Sequence, residues 1–139
     1  MRAGGGSGFR RHQDYPYWYC CAGPAAKDIA TAMIFLDEVT VENGALTIVP
    51  GSHLAGPVPR DRAEPTGLLV DAARTDVGGA VRVEAPAGSV LLFPGLIVHR
   101  SGPNTTSRDR RSLLLCFQPD GRPPLAELPY RSERLADLP

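Results

Sequence analysis

The stretch AVRVEAPAGSVLLFPGLIVHRSGPN, residues 80–104, decides the fold class. Ala80 to Glu84 alternates at period two, the spacing of a half-buried strand. Pro86-Ala87-Gly88 turns the chain into a second strand, Ser89 to Phe93. Pro94-Gly95 breaks that strand, Leu96 to His99 begins another, and Ser101-Gly102-Pro103-Asn104 turns the chain once more. Strands this short, separated by turn residues at this spacing, predict an all-β fold, an antiparallel sandwich or barrel.

The flanking sequence extends the pattern. Ile29 to Leu36 (IATAMIFL) suits a strand buried on both faces, although periodicity alone leaves a helix open. Asn43-Gly44 signals a tight turn, because both residue types accept positive φ. It leads into a short strand, Ala45 to Val49, stopped by Pro50. Phe9 to Cys21 reads as an aromatic-rich, strand-like segment, followed by a loop at Ala22 to Lys27. Gly51 to Gly79 reads as a long polar surface excursion with a helical turn near Leu68 to Ala73. A loop of that length inside a compact domain is usually functional or mobile. Arg110 to Gln118 closes the series of strands. Three regions follow: a flexible glycine-rich leader (1–8), a β domain (9–120) and a proline-rich tail (121–139) that wraps the surface.

Bulk properties exclude several functions. A chain of 139 residues is one domain's worth of material. With 15 basic and 15 acidic residues the net charge is zero, so no face is obliged to seek phosphate and nucleic acid is not an expected partner. No apolar run approaches the roughly 18–20 residues that span a bilayer. The basic amino terminus, MRAGGGSGFR, lacks the apolar stretch of a secretory signal, which leaves the cytoplasm as the expected compartment. Cys20 and Cys21 are adjacent, Cys116 lies alone in an apolar run, and no CxxC pair exists. All three are expected to be reduced, partly buried thiols.

His12-Gln13-Asp14 opens the chemistry. On extended backbone, residues two apart share a face, so one imidazole and one carboxylate converge. Such a pair also arises by chance as a solvated surface pair. His99 adds a second imidazole from the end of a distant apolar strand. Two neutral nitrogens and one carboxylate leave open positions on a metal, which suits ferrous iron that must also hold a co-substrate and dioxygen. Zinc accepts similar ligands. Ser101, two positions beyond His99, shares its face. Arg110 and Arg111 open the last strand, and a guanidinium facing into an apolar barrel needs an anion such as a carboxylate. Neighbours on a strand face opposite sides, so at least one of the two is solvated.

The blocks HQD (12–14), NGALTIVPGSH (43–53), GSVLLFPGLIVHRSGPN (88–104) and RRSLLLCFQ (110–118) together resemble the phytanoyl-CoA dioxygenase family. The resemblance implies a double-stranded β-helix, or jelly roll. It also implies an Fe(II)- and 2-oxoglutarate-dependent dioxygenase that uses O2, hydroxylates a small molecule and decarboxylates 2-oxoglutarate to succinate and CO2. Position by position, His12, Asp14 and His99 match the iron ligands. Arg110 matches the arginine that binds the distal carboxylate of 2-oxoglutarate, with Arg111 as the alternative if the register slips by one. Ser101 resembles the hydroxyl that assists it. Gln13 and Trp18 resemble residues lining the co-substrate or substrate side of the pocket, although Trp18 also reads as a structural aromatic. His53 falls outside the ligand set. Related halogenases lack the carboxylate ligand, so the presence of Asp14 implies hydroxylation rather than halogenation.

Family members normally carry helices and a first jelly-roll strand before HxD, whereas here HxD begins at residue 12. The expectation is that these elements are missing from this chain or supplied by another, leaving an exposed strand edge. Self-association or a partner chain would cover that edge. Two other functions remain open. One is a truncated or degenerate β-helix that binds metal or ligand without turnover. The other is a cupin-like metal enzyme, such as an isomerase or zinc enzyme, that has no use for Arg110.

Overall fold

A computed structural model of the chain describes residues 1–4, 7–61, 69–71, 75–76, 78–122 and 125. Its strands are β1 (Ala30–Phe35), β2 (Leu46–Ile48), β3 (Val81–Val83), β4 (Val90–Pro94), β5 (His99–Ser101) and β6 (Ser112–Phe117). They form two antiparallel three-stranded sheets, ordered β4-β1-β6 and β3-β2-β5. Met33, Phe35 and Phe93 from the first sheet pack against Leu46 of the second, with Val39, Ala45 and Ile97 closing the core between them. Each large apolar side chain buried there contributes roughly 1.5–3 kcal/mol. No helix among the described residues is long and apolar enough to cross a membrane.

The expected strands are present, except that the one expected over Leu96 to His99 begins only at His99 and runs to Ser101, where a turn is expected. The segment Phe9–Cys21 is not one strand. It is extended only as far as His12, and Tyr15–Ala22 forms a helix, α1. Asp14 occupies the helix N-cap and Pro16 falls in the first turn, where its fixed φ suits the helix and its missing N–H costs nothing. Burial of Trp18 against Ala26 and Ile29 overrides the strand preference of the aromatic run. The loop expected at 22–27 is a 3-10 turn, Gly23–Asp28. Tyr15 donates its N–H to Gly95 O and Gly95 donates to Ile29 O, tying the start of α1 to the end of β4 and the start of β1.

The helical turn expected near Leu68–Ala73 is not found at its described residues. Leu69 pairs with His12 and Val70 with Arg60 in antiparallel bridges. Asp61 donates its N–H to Leu69 O and Asp71 to Pro59 O, so part of the long excursion returns as a ribbon beside His12. The rest of that expected turn, and most of the C-terminal tail, lie outside the described residues. The leader, expected to be flexible, is tied down where it is described. Met1 and Arg110 exchange backbone hydrogen bonds, and Gly4 donates to Thr106 O. At the Asn43-Gly44 turn only Gly44 takes positive φ (93°), and an added Cβ there would meet Gly102 O at 2.8 Å.

Cross-strand register puts Val90 and Leu92 of β4 on one face with Ile34 and Ala32 of β1 and with Leu113, Leu115 and Phe117 of β6. This is the outer face of the sheet, and these β4 and β6 side chains are 41–71% exposed. An apolar face of this kind marks a surface that something else covers.

Arg111 fastens β6 to the end of β1. Its guanidinium donates to both oxygens of Asp37 (2.9 and 2.7 Å) and its backbone N–H donates to one of them (2.8 Å). Those hydrogen bonds hold the Asp37 carboxyl down at about 2. A depressed carboxylate pKa stabilises the fold above the unfolded value of about 3.9, and the contribution is lost as pH falls through the folded value. NMR titration of the Asp37 carboxyl carbon is expected to show a midpoint near 2. A midpoint at an ordinary aspartate value would contradict the pairing.

Candidate metal centre

Backbone pairing, more than side-chain contact, brings the first ligand to the last. His12 and His99 exchange both N–H···O bonds at 2.9 Å, so the HxD segment lies beside β5 as an additional strand. The chain then bends into α1, which turns Asp14 back toward both imidazoles. Nε2 of His12 and Nε2 of His99 each lie 3.6 Å from Asp14 Oδ1. The three ligand atoms are all within 4.8 Å of one another, and this is the one such His/Cys/Asp/Glu group among the described residues.

The hydrogen bonds fix which nitrogen each ring offers. His12 Nδ1 lies 2.7 Å from Arg10 O and His99 Nδ1 lies 3.1 Å from Ile97 O. A carbonyl can only accept, so each Nδ1 carries the proton and each Nε2 presents its lone pair to the centre. Burial, and then the neighbouring His99, push the His12 pKa below its ordinary value against the pull of Asp14. Neutral imidazole is the form that binds metal. Bonds of about 2.0–2.2 Å would place neighbouring ligands roughly 3 Å apart, so each imidazole nitrogen need approach Asp14 Oδ1 by only about half an ångström around an ion. Asp14 makes no capping hydrogen bond to α1, which leaves its carboxylate for this centre. The donor set therefore fits a metal with open positions.

Arg110 and Arg111 part company. Arg111 is exposed and committed to Asp37. Arg110 is buried (6% exposed), and its guanidinium donates to Asn43 O (3.3 Å) and Ser112 Oγ (2.9 Å). No carboxylate among the described residues pairs with it, and burial pushes its pKa down. Asn104 organises the approach to it, accepting from the Thr106 N–H and hydroxyl and donating to Arg108 O. Ser101 is buried on β5, where its hydroxyl accepts the Phe9 N–H at 3.0 Å.

Gln13 is fully buried and its amide is engaged throughout. It donates to Leu96 O (2.6 Å) and Gly56 O (3.0 Å) and accepts from the Val58 N–H (3.0 Å). It thereby ties the 56–58 loop to Leu96, just before β5, while Ser52 Oγ accepts the Val98 N–H at 2.8 Å. Gln13→Leu is expected to leave those buried backbone groups unpaired at about 1–3 kcal/mol each. A lowered melting temperature and faster exchange of the Val58 amide would register the loss; an unchanged exchange rate would refute it.

Trp18 lies on α1, away from the ligand atoms. With Ile29, Leu125 and residues 114–118 it lines a cavity of about 390 Å³. Cys116 also lines that cavity, and its Sγ is 3.7 Å from the Thr31 hydroxyl, which in turn donates to Asp14 Oδ2 at 3.3 Å. The cavity is thus one side chain removed from the metal centre. Cys20 and Cys116 are exposed rather than partly buried. His53 is not part of the metal group, and its Nδ1 is buried without a hydrogen-bond partner. Thr31 is not among the expected site residues; its signal in the sequence is a lone hydroxyl in the otherwise apolar stretch IATAMIFL.

Two facing antiparallel sheets carrying a His-Asp-His triad define a double-stranded β-helix domain with a candidate metal centre. The family profile described as phytanoyl-CoA dioxygenase (PhyH) matches residues 1–112, and the chain belongs to that family. L-proline trans-4-hydroxylase of Streptomyces griseoviridis is 32% identical over 131 residues, covering 81% of this chain and 48% of that protein. Among solved structures, the non-heme monooxygenase ThoJ in its apo form superposes with a TM-score of 0.68 at 28% identity, covering 84% of this chain and 42% of that one. EvdO2 from Micromonospora carbonacea var. aurantiaca, complexed with 2-oxoglutarate, gives 0.63 at 27% identity, over 88% of this chain and 52% of that one. The chain spans about half the length of these relatives. Fe(II), 2-oxoglutarate and O2 are the cofactor and co-substrates of the family, and His12, Asp14 and His99 form a His-Asp-His group that could hold a metal ion.

Proposed function

We propose that this chain carries the metal centre of an Fe(II)- and 2-oxoglutarate-dependent hydroxylase acting on a small molecule, with 2-oxoglutarate decarboxylated to succinate and CO2. One observation carries the reading: two imidazole lone pairs converge on one carboxylate oxygen, while the same domain holds a buried guanidinium with no carboxylate partner among the described residues. The second feature is what separates this reading from a cupin-like zinc enzyme or isomerase, which would have no use for Arg110.

When bound, iron supplies the activation of dioxygen and the oxidising step. The residues do the rest. His12, Asp14 and His99 would hold the metal, three protein ligands that leave positions for the co-substrates. Arg110 receives the distal carboxylate of 2-oxoglutarate, with Ser101 assisting. Trp18 forms part of the substrate wall, and Gln13 acts by positioning the ligand strands. The proposed compartment is the cytoplasm, in keeping with three free thiols, two of them exposed. A second copy of the chain is proposed to cover the apolar outer face of the β4-β1-β6 sheet. Light scattering on the purified chain tests this; a monomer at high concentration would refute it.

A second reading is metal or ligand binding without turnover. It is favoured by the exposure of Leu114 and Cys116, which leaves the cavity open along β6. Release of labelled CO2 from 1-labelled 2-oxoglutarate, with iron and after chelation, decides between them. Iron-dependent release supports turnover. Binding of iron and 2-oxoglutarate with no release above the chelated control supports the second reading.

A further inference from the structure

Thr31 is the one polar side chain of β1, on the inner face of the strand and 1% exposed. Its hydroxyl donates to Asp14 Oδ2 at 3.3 Å. The other carboxylate oxygen, Oδ1, is the atom 3.6 Å from both imidazole nitrogens. Opposite Thr31 in the ladder stands Cys116, with Sγ 3.7 Å from the same hydroxyl oxygen. An ionised carboxylate can only accept, so the single hydroxyl proton points at Asp14 and the Cys116 thiol donates to the hydroxyl oxygen. The rotor has one arrangement that satisfies all three groups. Thr31 is also β-branched and restricted at χ1, so its oxygen is held in place by the strand.

We infer that Thr31 is a positioning residue that makes Asp14 a one-oxygen metal ligand, engaging Oδ2 and leaving Oδ1 to the ion. The inference rests on the metal-centre reading and adds to it a reason why the carboxylate takes only one position on the metal. An unrestrained carboxylate could rotate to offer both oxygens and occupy a place that a co-substrate needs. Partners behind metal ligands of this kind are worth about 10–100-fold in metal affinity.

Titration of the metal-free protein with Co(II), followed by calorimetry and by the visible spectrum of the bound ion, tests this without turnover. Thr31→Val keeps the shape and strand preference but removes the hydroxyl. It is expected to weaken Co(II) binding about 10–100-fold and to alter the spectrum, with the melting temperature of the metal-free protein little changed. Thr31→Ala is expected to weaken binding likewise, and Thr31→Ser to restore it to within a few-fold; this pair decides the matter if the valine variant does not fold. Wild-type affinity and spectrum in the valine and alanine variants would overturn the inference alone. So would a serine variant as weak as alanine, which would mean that packing and not the hydroxyl matters. Failure of the wild type to bind Co(II) would overturn the metal-centre reading together with this inference.

Discussion

Asp14→Ala is expected to abolish 2-oxoglutarate turnover and to cost metal affinity more than the about 10–100-fold that follows loss of an outer hydrogen-bond partner. The two imidazoles left behind carry no charge, so the ion loses its anionic ligand as well as a third of its protein donors. The fold should hardly notice. Asp14 sits at the N-cap of α1 yet makes no capping hydrogen bond, and the helix starts instead with Pro16 in its first turn and Trp18 buried beneath it. Replacing a true N-cap costs about 1 kcal/mol, and here that contribution was never made. Circular dichroism and the melting curve of the metal-free variant should therefore match wild type, while calorimetric titration with Co(II) shows weak or no binding. Wild-type metal affinity in Asp14→Ala would refute the assignment of the centre.

Arg110→Met separates function from stability in the opposite sense. The loss of a buried, hydrogen-bonded partner of a carboxylate costs about 2–5 kcal/mol of binding, or roughly 30-fold to a few thousand-fold in Kd for 2-oxoglutarate. In the free protein the same substitution removes a buried cation that faces a carbonyl and a hydroxyl but no carboxylate among the described residues. Two hydrogen bonds worth about 1 kcal/mol each are lost. Against that, burying a charge without an opposite charge costs several kcal/mol, which the apolar side chain relieves. The melting temperature is expected to hold or rise while 2-oxoglutarate binding collapses. Arg111→Met should do the reverse, weakening the tie to Asp37 and sparing binding. Equal losses of 2-oxoglutarate affinity in the two variants would mean that neither arginine specifically holds the co-substrate.

Much of this architecture was legible because strands and turns announce themselves locally. The apolar run at Ile29–Leu36, the Asn43-Gly44 turn and the Pro94-Gly95 break each lead to the expected element. Helix α1 departs from the expected strand for a local reason as well. Aromatic residues favour strands on average, but Asp14 stands at the N-cap with a proline in the first turn, which starts a helix instead. The ribbon formed by Pro59–Asp61 and Leu69–Asp71 was not legible in the same way. Its bridge to His12 depends on a partner far away in the chain, and no periodicity in a polar loop encodes that.

The triad shows the same division. By itself the sequence determined the chemistry on offer: two imidazoles, one carboxylate and two adjacent arginines, in an order that matches a known family. Which arginine is buried and which is paired was decided only by the tertiary structure, because it depends on Asp37 lying 74 residues away at the end of β1. The same is true of the oxygen of Asp14 that faces the two imidazoles. A carboxylate has two equivalent oxygens in the sequence, and the Thr31 hydroxyl, reaching one of them across 17 residues, makes them different.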